Sequence, residues 1–276
     1  MDANACFERF IISSGSPSVS EIDQSTMVEL ALRFAIWLPI STYEAAPWLA
    51  PFAVRRSRIR TEPNAPGQKR DLWGLPTDLG YFADDNSLIK ATALKKSLLP
   101  TTNPYGDTKI TSGLVCCHIW SGTTHLPLLF SFVPNLVWLP KSLANYSDAH
   151  SAREPHPIHH ALKQVSRARY RLGHLNPRVS KAWALLDLPN PVILPPHVST
   201  EISDGEAIAS LAKQRINRMI KFLEATLDPN IKTPNRFSKR YHAGVGPGID
   251  NSVWTAQRWL DRKTRVNLLK EMYECL

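Results

Sequence analysis

The stretch SGLVCCHIWSGTTHLPLLFSFVPNLVWLPKSLANYSDAH, residues 112–150, decides how this chain is read. Leu114 to Trp120 is an apolar run that predicts a strand, with His118 near its end. A loop follows. Leu128 to Leu139 predicts a second strand, interrupted at Pro134, because proline cannot donate to a ladder. Residues 141–147 predict a short helix. Two strands and a helix in succession therefore carry His118, Asn135 and Asn145 in that order, with Asn135 opening the segment Asn135-Leu136-Val137-Trp138-Leu139.

Outward from this centre the chain is mainly helical. Residues 20–38 predict a helix capped by Ser20, with Glu21, Asp23 and Gln24 in a first turn that favours negative charge, and ended by Pro39. Residues 45–82 are rich in Pro and Arg and read as irregular. Asp84-Asp85-Asn86-Ser87 offers a cap for a short helix running through Leu94. The 100–112 loop contains Asn103-Pro104-Tyr105-Gly106-Asp107, a turn signal. After a loop at 150–160, helices are predicted over 158–172, 177–188 and 205–227. Asp204 stands near the start of the last. A loop at 244–250 precedes a final helix from about Ser252 to Glu274. The fold class is α+β, a small β element with helices on both sides. Three regions follow: an N-terminal helical and Arg/Pro-rich region at 1–100, a central core at 101–150, and a C-terminal helical region at 151–276. One integrated domain is compatible with the same layout.

Composition narrows the function classes. The 276 residues hold 33 Lys and Arg against 24 Asp and Glu, a formal charge of +9, and 43% are apolar. That excludes a disordered tail protein and a collagen-like chain. With 22 Pro against 12 Gly, stiff irregular connections are expected. Cys6, Cys116, Cys117 and Cys275 form no C-x-x-C pair, so they read as reduced, buried thiols. No apolar run approaches the roughly 18–20 residues of a membrane span. The N-terminus has no basic segment leading into an apolar one. A cytoplasmic protein without a membrane partner is expected.

The positive charge is clustered. Arg55, Arg56, Arg58 and Arg60 lie within six residues, and Arg167, Arg169 and Arg171 within five, around Tyr170. Arg236, Lys239 and Arg240 follow. Lys213, Arg215, Arg218 and Lys221 recur at roughly helical spacing, and Arg262, Lys263 and Arg265 lie near the C-terminus. Arginine forks suit phosphate oxygens, so nucleic acid is the expected partner. A solvated helix face is the bland alternative for each cluster.

The order of a strand ending in His118, a loop, an Asn-Leu-x-x-Leu segment from Asn135 and a helix with Asn145 resembles the HNH, or ββα-metal, nuclease motif in its His-Asn-Asn form. The resemblance covers 39 of the 276 residues. It implies a small ββα-metal finger embedded in a mostly helical, loop-rich chain, and a metal-dependent DNA endonuclease. In that reading His118 is the general base, Asn135 braces the loop that orients His118, and Asn145 is a ligand for Mg²⁺ or Mn²⁺. Asp148 and His150 are further candidate ligands. The chemistry accounts for these residue types. A neutral imidazole, with its ordinary pKa of about 6.5, can take a proton from water. A divalent cation supplies positive charge where a phosphodiester gains negative charge, and it needs few protein ligands because it keeps waters and takes phosphate oxygens. Cys117 stands where many members of this family carry Asp, Glu or His, which points to the subset relying on a single helical Asn. A restriction role and a homodimer that cuts both strands of a symmetric site also follow from the resemblance.

Other constellations are weaker. His125 with Cys116 or Cys117 matches no structural zinc spacing. His150, His156, His159 and His160 read as a loop and a helix start. Asp84, Asp85 and Lys90 lack the acid two positions before the lysine that the other large nuclease class requires. Gly244-Val245-Gly246-Pro247-Gly248 lacks the Lys-Ser/Thr ending of a phosphate loop. A non-catalytic nucleic-acid-binding protein is the alternative function. A zinc-dependent small-molecule hydrolase is a third.

Overall fold

The computed structural model describes residues 2–15, 18–51, 53–55, 82–84, 104–105, 110, 112–126, 128–147, 157–170, 176–190, 200–202, 204–227, 242–243 and 262–275. The architecture is α+β. Helix α1 (Ala3–Ser13) buries Ala3, Phe7 and Ile11, one face at a spacing of four. Helix α2 (Gln24–Phe34) buries Met27, Leu30, Ala31 and Phe34. Its cap is Asp23 rather than the expected Ser20. The Asp23 side chain accepts from the amides of Ser25 and Thr26 at 2.9 and 3.0 Å and from both hydroxyls, and these bonds hold its carboxyl below the usual carboxylate range. Nor does this helix run on to Pro39. It ends at Phe34, and Ile36–Trp37 become β1, buried on both faces as β-favouring residues tolerate well. Helix α3 (Ile40–Ala45) follows.

Two short strands, β2 (Ala53–Arg55) and β3 (Phe82–Asp84), pair in parallel. Asp84 thus lies in a strand, not in a helix cap. The rest of the helix expected there, like the 244–250 loop, lies outside the described residues.

The centre of the fold is a hairpin. β4 (Leu114–His118) pairs antiparallel with β5 (Leu136–Pro140), with Leu114 opposite Pro140 and His118 opposite Leu136. β5 starts later than the apolar run suggests. Residues 128–131 fold into turns, Phe132 makes an isolated antiparallel bridge with Trp48, and Val133–Asn135 make one 3-10 turn around Pro134. All five β5 residues are buried, because β4 and β1 flank its edges and helices α1, α2 and α4 pack against it. Helix α4 (Lys141–Ser147) begins directly at the strand end and packs against both strands of the hairpin.

Helices α5 (Pro157–Tyr170) and α6 (Pro177–Ala184) come next, then β6 (Thr200–Glu201). Helix α7 (Gly205–Leu227) is capped by Asp204, which accepts from the Ala207 amide at 3.0 Å. β7 (His242–Ala243) pairs with β3, and α8 (Arg262–Tyr273) packs against α7. The larger sheet has the order β4-β5-β1-β6, with only the β1–β6 pair parallel; the smaller has the order β2-β3-β7. One cluster of buried apolar side chains runs from Ala3 to Cys275 and draws on all three regions of the chain. Cys116, Cys117 and Cys275 are buried, Cys6 is half-buried, and none is in a disulfide. Among the described residues no helix is long and apolar enough to cross a membrane.

Candidate functional site

His118 is the last residue of β4 and is half-buried. Its Nε2 lies 2.8 Å from the carbonyl oxygen of Phe130. A carbonyl only accepts, so Nε2 carries the hydrogen, and in the neutral ring Nδ1 is the basic nitrogen. The Phe130 ring also stacks on the imidazole, with centroids 5.3 Å apart and planes 21° from parallel. One residue therefore sets both the tautomer and the plane of the His118 ring.

The loop that supplies Phe130 is held from inside by Asn135, which has no exposure to solvent. Its Oδ1 accepts from the Trp120 amide at 3.0 Å. Its Nδ2 donates to Thr123 Oγ1 and to the Leu129 carbonyl, both at 2.8 Å. Thr123 in turn donates its hydroxyl to the Trp120 carbonyl at 2.6 Å. The Asn135 carbonyl accepts from the Ile119 amide at 3.0 Å, immediately beyond His118. Both edges of the 119–130 loop are thus tied to one carboxamide. Replacement by Ala would take the acceptor from the buried Trp120 amide and one donor each from the Leu129 carbonyl and Thr123 Oγ1.

Helix α5 closes the loop from the other side. His159 Nδ1 lies 3.2 Å from the Ile119 carbonyl, and Ser166 donates to the Pro134 carbonyl at 2.5 Å. These residues stand seven apart, two turns on one helix face. Thr123, Phe130, His159 and Ser166 had not been singled out for these contacts. Phe130 acts through its backbone carbonyl and stacked ring, for which a single sequence carries no signal. Of the four, only His159 carries a hint in the sequence, as a helix-start histidine.

The metal-ligand candidates are reached less fully. Asn145 belongs to α4 by its backbone, so the helix that carries it lies on the hairpin that carries His118; the side chain of Asn145, and Asp148 and His150 altogether, lie outside the described residues. By type, a carboxamide and a carboxylate are oxygen donors suited to a hard cation, while the softer thiols of Cys116 and Cys117 are buried within β4. Among the described residues no group of three or more His, Cys, Asp and Glu comes together, and a hard cation that keeps its waters needs no such group.

The basic clusters divide. Arg55 is in β2 by its backbone, and its side chain lies outside the described residues, as do Arg56, Arg58, Arg60, Arg171, Arg236, Lys239 and Arg240 entirely. Arg169 does not belong to an exposed basic surface. It is 7% exposed, pairs with Glu201, and has its guanidinium 5.8 Å from the Trp37 ring centroid and 5.7 Å from that of Tyr170. The reason is periodicity: Leu162, Val165, Ser166 and Arg169 fall on one buried stripe of α5. Arg167 is half-buried, and its Nη1 donates to the Pro189 carbonyl. Arg169→Met is expected to lower stability by about 2 kcal/mol, less than for a sealed pair because Glu201 is partly hydrated. Thermal melts read that loss.

No family model matches the chain, and no curated protein or solved structure matches it either.

Proposed function

We propose that this chain is a metal-dependent endonuclease of the HNH type, acting on DNA, with β4, β5 and α4 as its ββα-metal finger. The observation that carries the reading is the pairing of an oriented imidazole with a buried carboxamide brace. His118 has its tautomer set by Phe130, and Asn135 ties down the loop that holds Phe130.

In this reading His118 Nδ1 takes a proton from the attacking water. Asn135 keeps the imidazole in register through the loop, and Asn145, with Asp148 as a second oxygen donor, would hold the cation. The cation, when bound, offsets charge on the non-bridging and departing oxygens of the phosphodiester. Arginines and lysines of the 55–60 and 236–240 clusters, with Arg171, bind the phosphate backbone. A restriction role, a cytoplasmic location and a homodimer fit an enzyme that cuts both strands of a symmetric site.

Supercoiled plasmid with Mg²⁺ or Mn²⁺ tests this. Wild-type protein is expected to nick or linearise it, and chelation by EDTA to stop cleavage while leaving binding measurable by mobility shift. Binding without cleavage under every divalent cation tried overturns the nuclease reading in favour of a non-catalytic nucleic-acid-binding protein. Stoichiometric zinc in the purified chain would point instead to the hydrolase alternative.

A further inference from the structure

We infer that α1 is a positioning strut for α4, acting through Asn4 and Glu8. This rests on the reading of α4 as the metal-ligand helix. A seven-residue helix is too short to be stable alone, so contacts from outside decide where it sits. Its opening amides have no partners within the helix. The Lys141 amide donates to the Gly113 carbonyl at 2.9 Å, from the start of β4. The Ser142 amide donates to Asn4 Oδ1 at 2.7 Å, from a residue 138 positions earlier.

That second bond is part of a closed ring. Glu8 Oε1 accepts from the Ser142 hydroxyl at 2.9 Å and from Asn4 Nδ2 at 2.8 Å. Asn4 and Glu8 are one turn apart on α1, so a single helix face presents both. The N-terminus of α1 is itself fastened to the hairpin. The Ala3 amide donates to the Ser112 carbonyl at 3.0 Å, and the Ser112 hydroxyl donates to Asp2 Oδ2 at 2.7 Å. Gly113 permits this approach. It sits at φ +82°, and a Cβ there would fall 2.4 Å from Asp2 Oδ1 and 2.5 Å from the Asn4 amide nitrogen. The segment that bears Asn145 is thus held at its start by β4 on one side and by α1 on the other.

Residue-by-residue amide exchange of the full chain, with Mn²⁺ titration by electron spin resonance, tests the strut. Asn4→Ala is expected to speed exchange at 141–147 by about tenfold, leaving 136–139 protected, and to weaken Mn²⁺ binding by about tenfold. Asn4→Asp is expected to do the same, because it places a carboxylate against that of Glu8. Adding Glu8→Gln restores the ring, since the new amide can donate to the new carboxylate, and both readouts return towards wild type. Exchange at 141–147 that is unchanged, or that rises equally throughout the chain, overturns the strut, as does a double variant no better than Asn4→Asp alone. A wild-type chain that neither binds Mn²⁺ nor cleaves DNA sinks the nuclease reading instead. The exchange results then decide the strut by themselves.

Discussion

His118→Ala is expected to abolish plasmid cleavage, lowering the rate by about 100- to 10,000-fold, the usual contribution of a positioned general base. DNA affinity should stay within a factor of two, because the substitution removes no cation from the surface. The fold should also hold. The side chain is half-buried at a strand end, and among its contacts are the Phe130 carbonyl and the stacked Phe130 ring. His118→Gln separates positioning from proton transfer. A glutamine amide can still donate to the Phe130 carbonyl, yet it has no nitrogen able to take a proton near neutral pH. Cleavage should therefore be as low in His118→Gln as in His118→Ala, while the loop retains more of its stability. If His118→Gln cleaves at a rate near wild type, the ring is an anchor rather than a base. Parallel kinetics and thermal melts on both variants make the distinction.

Much of the hairpin and of the long helices was legible because their patterns are strongly periodic or strongly punctuated. The helix over 205–227 has apolar residues at Ile208, Leu211, Ile216 and Ile220 with Asp204 ahead of it, and the structure has Gly205–Leu227. The helix over 141–147 follows directly on a proline and matches Lys141–Ser147. The boundary errors share a cause. At 20–38 the apolar residues continue past the helix into β1, and a window that counts them cannot tell a buried strand from one more helical turn. At 128–131 an apolar run reads as strand, yet it folds into turns in which the Leu129 carbonyl accepts from the buried Asn135 amide.

The basic clusters show a different limit. Arg167 and Arg169 are two apart, so on a helix they point in different directions. Counting arginines along the chain put them on one surface; placing them on the stripe of Leu162 and Val165 would have put Arg169 inside. The α1 strut is harder still to read. Asn4 and Glu8 become neighbours of Ser142 only through tertiary contact across 138 and 134 positions. A single sequence has no local signal for it.

Asn135→Ala carries the largest expected loss of stability. The Trp120 amide loses its acceptor, the Leu129 carbonyl keeps only the Phe132 amide at 3.3 Å, Thr123 Oγ1 keeps only its bond to the Trp120 carbonyl, and a void opens where the carboxamide stood. Each buried orphan costs on the order of 1–3 kcal/mol, and partial relaxation of the loop reduces the sum, so a loss of about 3–4 kcal/mol is expected. At this chain length that lowers the thermal midpoint by roughly 5–7 °C. Asn135→Asp should be worse than the near-identical shape implies. Its second oxygen would face the Leu129 carbonyl and Thr123 Oγ1, whose hydrogen is already given to the Trp120 carbonyl, so lone pairs would meet lone pairs in a dry site. Protonating that carboxylate restores one donor, so Asn135→Asp should regain stability as pH falls, a direction Asn135→Ala does not share. Denaturant titrations of both variants across pH read the difference. Cleavage should fall in both below what lost stability explains, because the loop carries the carbonyl that orients His118. An Asn135→Ala chain that melts like wild type would mean the loop holds itself, leaving the imidazole without its brace.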